Sequence, residues 1–152
     1  MEQLNQQLID TLNNLIEVNT HRCAGYEFAA KEVEDEKLRN LFQEIADQSY
    51  VFKNELWKKV IALKGRPTEK ISLTGEFFNA WNGIKSAIAI KDDTTIADAF
   101  ELAELVTSTI YRDALHSPSL TSGELRNLIL DERLKIGNTF TRIKAFRHAF
   151  SV

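Results

Sequence analysis

Chemistry in this chain would have to come from a small set of polar residues. The carboxylates Glu27, Glu44, Glu101 and Glu104 lie on or beside helical stripes, and anionic oxygens drawn from several helices are what a divalent metal ion requires. Asp113 and His116 have the spacing that puts two ligands on one helix face, but they fall at the end of a helical run, beside Ser117-Pro118. His21 follows Glu17 by four residues and reads as a surface pair, while His116 and His148 sit near helix ends, where a cation suits the helix dipole. Cys23 has no nearby His or Lys pattern to stabilise a thiolate, so it reads as a small buried hydrophobe. Gly-rich phosphate loops, Cys-x-x-Cys and recognisable Ser/His/Asp motifs are missing. No catalytic residue and no cofactor is therefore expected, and the chain does not read as an enzyme.

The elements that would position these residues are helices. Six glycines and two prolines in 152 residues are too few for a turn-rich all-β fold. Apolar positions Ile9, Leu12, Ile16, Cys23, Tyr26, Ala30 and Val33, with Asn19 in the gap, step by three and four and predict a helix over 4–33. Leu38, Leu41, Ile45, Ser49, Phe52, Leu56 and Val60 predict a second over 35–64, opened by Glu34-Asp35-Glu36 and closed by Gly65 and Pro67. Phe77, Trp81, Ile84 and Ile88 mark a short helix over 73–90 inside a long connection. Asp93-Thr94-Thr95 offers caps for a helix over 95–116 on the stripe Ile96, Phe100, Ala103, Thr107, Ile110 and Ala114. Thr121 with Glu124 fits a capping box for the last helix, 122–150, on Leu125, Ile129, Glu132, Ile136, Phe140, Ile143 and Phe150.

A composition of 43% hydrophobic and 27% charged residues describes one folded domain over 1–152 with no membrane-spanning run. The net charge of −3 supplies no field for a phosphate backbone, and the basic residues Arg142, Lys144, Arg147 and His148 suit the last turns of a helix, so nucleic acid is not an expected partner. The N-terminal residues carry no cationic then apolar pattern, and a lone cysteine makes no internal disulfide; a cytoplasmic location is the expectation.

Two antiparallel hairpins joined by a long crossover carrying a short extra helix form the all-α pattern of a ferritin-like four-helix bundle. The words Leu15-Ile16-Glu17-Val18-Asn19, Gly25-Tyr26-Glu27, Leu41-Phe42-Gln43-Glu44 and Ala46-Asp47-Gln48 resemble the first hairpin of ferritin-like proteins, rubrerythrins especially. With Trp81, Tyr111 and Ile143-Lys144-Ala145-Phe146-Arg147, the chain is more similar to an uncharacterised bacterial family of ferritin-like bundles. The resemblance implies a central two-metal site whose ligands would fall on Asn19, Ser49, Phe52, Gly137 and Phe140, with a carboxylate at Glu101 or Glu104. Only the last position keeps a ligand, so a degenerate site repacked as core, with Phe52 and Phe140 filling its centre, is the expectation, and no metal is expected.

The residual polar positions Asn19, Gln48, Glu101, Glu104, Thr107 and Glu132 then read as a hydrogen-bonded core network. The resulting expectation is a non-enzymatic bundle with a structural or protein-interaction role, self-associating as a homo-oligomer through Phe77, Phe78, Trp81 or Trp57. Its alternatives are a metal or redox protein using Glu27, Glu44, Glu101 and Glu104 in a rearranged site, and a small-molecule binder using the polar positions.

Overall fold

Residues 33–35 turn the chain between α1 (Glu2–Glu32) and α2 (Glu36–Ala62), a link so short that the two helices run antiparallel. The computed structural model describes residues 2–69 and 75–149, with side chains described through 69 and from 79 to 146. Every element among the described residues is helical: α3 (Gly75–Ile90), α4 (Asp93–Leu115) and α5 (Gly123–Ala149) complete the order. The side chains of Phe77, Phe78, Arg147 and His148, and all of Phe150, lie outside the described residues. No helix among the described residues is long and apolar enough to cross a membrane.

Caps fix where the helices begin. Asp35 accepts a hydrogen bond from the Leu38 amide at 2.9 Å and starts α2. The corresponding cap of α4 is Asp92, which accepts from the Thr95 amide and hydroxyl, rather than the expected run that starts at Asp93. Asp93 is used elsewhere: its carboxylate accepts from the amides of Glu34 and Asp35, tying the start of α4 to the first turn of the chain. Ser122, rather than Thr121, accepts from the Leu125 amide at the start of α5.

α1 packs along α2, and α4 packs on both α3 and α5; smaller contacts join α1 to α3 and α4, and α2 to α5. One core runs through these contacts, from Leu12, Leu15 and Ile16 of α1 through Phe42, Ile45 and Phe52 of α2 to Phe100 of α4 and Ile129 and Ile136 of α5. Tyr26 stacks on Phe100 with centroids 4.2 Å apart and meets Phe42 edge-on at 5.2 Å, an aromatic knot that locks α1, α2 and α4 together.

Two stripes differ from the sequence reading. On α1 the inward position between Asn19 and Tyr26 is Arg22, fully buried, whereas Cys23 is half-buried at the side. On α5 the phase runs Ile136, Thr139, Ile143, so Thr139 is buried and Phe140 is only half-buried and outside the core. Each error is a choice between a step of three and a step of four in which the apolar residue was preferred to the polar one beside it.

Candidate functional site

Where four of the helices converge, the interior is polar. Asn19, Arg22, Ser49, Glu104, Thr107 and Glu132 are all buried at 0% exposure, joined there by the hydroxyls of Tyr26 and Tyr111. The helical repeat explains the alignment: Asn19, Arg22 and Tyr26 succeed one another on α1 by three and four, as do Glu104, Thr107 and Tyr111 on α4.

Glu104 is the hub. Arg22 donates from Nε to Glu104 Oε1 at 2.8 Å, and the Tyr26 hydroxyl donates to the same oxygen. The other edge of the guanidinium donates from Nη1 to Ser49 Oγ at 3.0 Å, and the Ser49 hydroxyl donates in turn to the Ile45 carbonyl. The guanidinium also lies 5.8 Å from the Tyr26 ring centre and 5.9 Å from that of Phe52, so its faces are covered by aromatic carbon. Burial alone would lower the pKa of Arg22, but the charge and hydrogen bond of Glu104 outweigh it and the net shift is upward. Arg22 is a permanent cation here.

A second branch runs through Tyr111. Its hydroxyl donates to Glu132 Oε1 at 2.7 Å and accepts from Asn19 Nδ2 at 2.8 Å, so it joins α1, α4 and α5. Burial, followed by the hydrogen bond and charge of Glu55, pushes the Glu132 carboxyl up to about 9 against the opposing pull of Tyr111. It is therefore a neutral acid at pH 7. Burial also raises Tyr26 and Tyr111 well above the ordinary phenol value, with the adjacent carboxylates adding to it, so both act as proton donors rather than phenolates.

This charge balance decides whether a carboxylate-bridged metal pair fits. With Glu132 neutral, the one negative charge on Glu104 is cancelled by Arg22, and no anionic excess is left for two divalent ions. The ligand-like positions of the ferritin-like pattern add nothing: Ser49 and Asn19 are engaged in the network, Phe52 is core, and Gly137 has open space where a side chain would stand. The residues present do not fit the metal pair. Among the described residues, no group of three or more His, Cys, Asp or Glu has the geometry to hold a metal ion.

The remaining candidates are scattered. Glu44 is exposed and accepts a two-pronged ion pair from Arg142, at 2.9 and 2.8 Å, which holds its carboxyl below the usual range. Glu27 is exposed and takes only a weak contact from Cys23 Sγ at 3.7 Å; burial and then Glu27 push that thiol up to about 11, so it is no nucleophile. Glu101 is half-buried one turn before the fully buried Glu104 on α4, and Gln48 is half-buried beside Thr139. Asp113 pairs with its neighbour Arg112 while His116 Nδ1 meets the Arg112 carbonyl, so their ligand-like spacing is spent on separate contacts. Trp81, expected at an exposed face, is buried at 7% exposure, its ring against Gly25, and Trp57 is half-buried against the core.

Arg22 is the residue that sequence reasoning missed. Its signal was its register, three after Asn19 and four before Tyr26, both on the inward stripe; its charge alone argued for solvent.

Residues 7–117 match the family model of a domain of unknown function (DUF2383), a stretch that takes in Asn19, Arg22, Tyr26, Ser49, Glu104 and Tyr111 but not Glu132. No curated protein matches the chain.

Proposed function

The chain belongs to the DUF2383 family, and we propose that it is a non-enzymatic ferritin-like four-helix bundle, two hairpins joined by a crossover that carries α3, in which an internal cation has replaced the metal pair. The observation that carries this reading is the buried Arg22–Glu104 ion pair, capped by Tyr26 and Ser49. A guanidinium supplies in fixed form the positive charge that metal ions would bring, and it closes the interior to exchange and to redox chemistry. What such a bundle offers is a rigid surface, so its role is structural or protein-interacting, in a cytoplasmic setting.

The outer face supports the interaction role. Leu102 and Leu105 of α4 and Leu130 and Leu134 of α5 are between 43% and 66% exposed, an unusual number of large apolar side chains in solvent for two helices that pack on each other. Gly137 adds an open notch one turn beyond Leu134. A second copy packed on α4 and α5 is the partner proposed to cover these leucines. Light scattering over a dilution series tests it, with wild type expected to show a dimer at high micromolar concentration that Leu105→Asp together with Leu134→Asp removes. A wild-type protein that stays monomeric throughout would contradict self-association.

A further inference from the structure

On the far side of α1 from the polar network, α1 and α3 leave a half-open groove of about 630 Å³. That volume is in the range of ligand pockets, about 300 to 1,000 Å³, and the lining has the same character, mostly apolar with a few polar groups. Its floor is the indole of Trp81, which can lie so close to α1 only because residue 25 is glycine: a Cβ there would stand 2.5 Å from Trp81 Cζ3. Ile84 and Ile88 continue the floor along α3. Phe28 of α1 forms a wall and remains 53% exposed, a large aromatic side chain held at the mouth of a cavity it does not fill.

The rim is charged on one side. Lys85 and Lys91 line the groove with Glu32 as the one carboxylate, and neither lysine takes part in an ion pair among the described residues. An apolar trough with cations at its edge matches a molecule of the opposite arrangement. Long ammonium side chains can bend over such a trough while their stems cover its apolar wall.

We propose that this groove binds a free amphipathic acid, an apolar chain or ring with one anionic head group, its apolar part against Phe28, Trp81 and Ile88 and its head group at Lys85 and Lys91. The site lies on another side of α1 from Arg22 and Glu104, its floor Trp81 meeting Tyr26 edge-on with ring centres 6.0 Å apart.

Decanoate is the probe, used below its micelle concentration and compared with decanol. In a Trp57→Phe background Trp81 is the remaining reporter, since the chain has two tryptophans. The expected result is a saturable change in Trp81 emission, with decanoate binding several-fold more tightly than decanol. Phe28→Ala should weaken both ligands about tenfold. Lys85→Gln with Lys91→Gln should weaken decanoate about 3- to 10-fold, the range for two solvent-exposed ion pairs, and leave decanol unchanged. All three substituted residues are exposed, so these variants should fold as the parent does. A non-saturable response, equal affinity for acid and alcohol, or variants that bind like the parent would overturn the proposal. So would emission that changes on dilution without added decanoate in a Leu105→Asp, Leu134→Asp background, because a second copy of the chain would then be the occupant.

Discussion

Arg22 of α1 and Glu104 of α4 form an ion pair, Nε to Oε1 2.8 Å, between two side chains with no solvent exposure. A pair so placed has given up hydration on both sides and is held by its geometry, with Tyr26 adding a hydrogen bond to the carboxylate and Ser49 one to the guanidinium, while Arg22 Nη2 and Glu104 Oε2 are buried without a partner. Removing one partner strands the other as a buried charge. Arg22→Met or Glu104→Leu should each cost about 3 to 5 kcal/mol, whereas the double variant Arg22→Met with Glu104→Leu should cost much less than the sum of the two single losses. Urea denaturation of the single and double variants measures this, and additive losses would mean that the two residues do not act as a unit.

The two phenylalanines once expected to share the centre should behave differently. Phe52 is 1% exposed within the core, and Phe52→Ala should cost about 3 to 5 kcal/mol. Phe140 is half-buried and outside the core, so Phe140→Ala should cost about 1 kcal/mol or less. Equal losses in urea denaturation would place Phe140 inside after all.

The helices themselves were legible in the sequence because an apolar stripe of three and four survives a few polar interruptions. The polar interior was legible only in part. Asn19, Glu104, Thr107 and Glu132 showed as polar interruptions of apolar stripes, but Arg22 did not, since a charged residue on such a stripe is ordinarily placed at the edge. Its partner Glu104 lies 82 residues away, and only the fold brings the two together. Thr139 displaced Phe140 for a related reason: stripe reading prefers the larger hydrophobe, while packing can bury a threonine whose hydroxyl donates to the Lys135 carbonyl one turn back.

Stability should carry the signature of Glu132. Its folded pKa of about 9 lies above the ordinary 4.5, so the native state keeps a proton that the unfolded chain releases. Its contribution is fully present below about 4.5 and is lost as pH rises toward 9, at up to about 1.4 kcal/mol per pH unit. Glu132→Gln, which still accepts from Tyr111 and does not titrate, should flatten that slope between pH 5 and pH 9. Unfolding free energies of wild type and variant across this window check it; parallel profiles would show that Glu132 is ionised in the folded protein.

Gly25 should be intolerant of even a methyl group. The added Cβ would stand 2.5 Å from Trp81 Cζ3, too near for any real contact, so the indole or α1 must shift. Gly25→Ala should cost about 1 to 3 kcal/mol, as overpacking does, although alanine is the better helix former. Thermal denaturation followed by tryptophan emission would register both the loss and the altered environment of Trp81; a variant as stable as wild type would show that the indole moves freely.

The proposed replacement of a metal pair by an internal cation is tested most directly by counting metal. Protein purified without chelator, loaded anaerobically with Fe(II) or Mn(II) and dialysed against a weak competitor, should retain no stoichiometric metal by elemental analysis, because Arg22 already neutralises Glu104 and Glu132 is uncharged. Retention of two ions per chain would contradict it, and would mean that the guanidinium leaves Glu104 to make room for them.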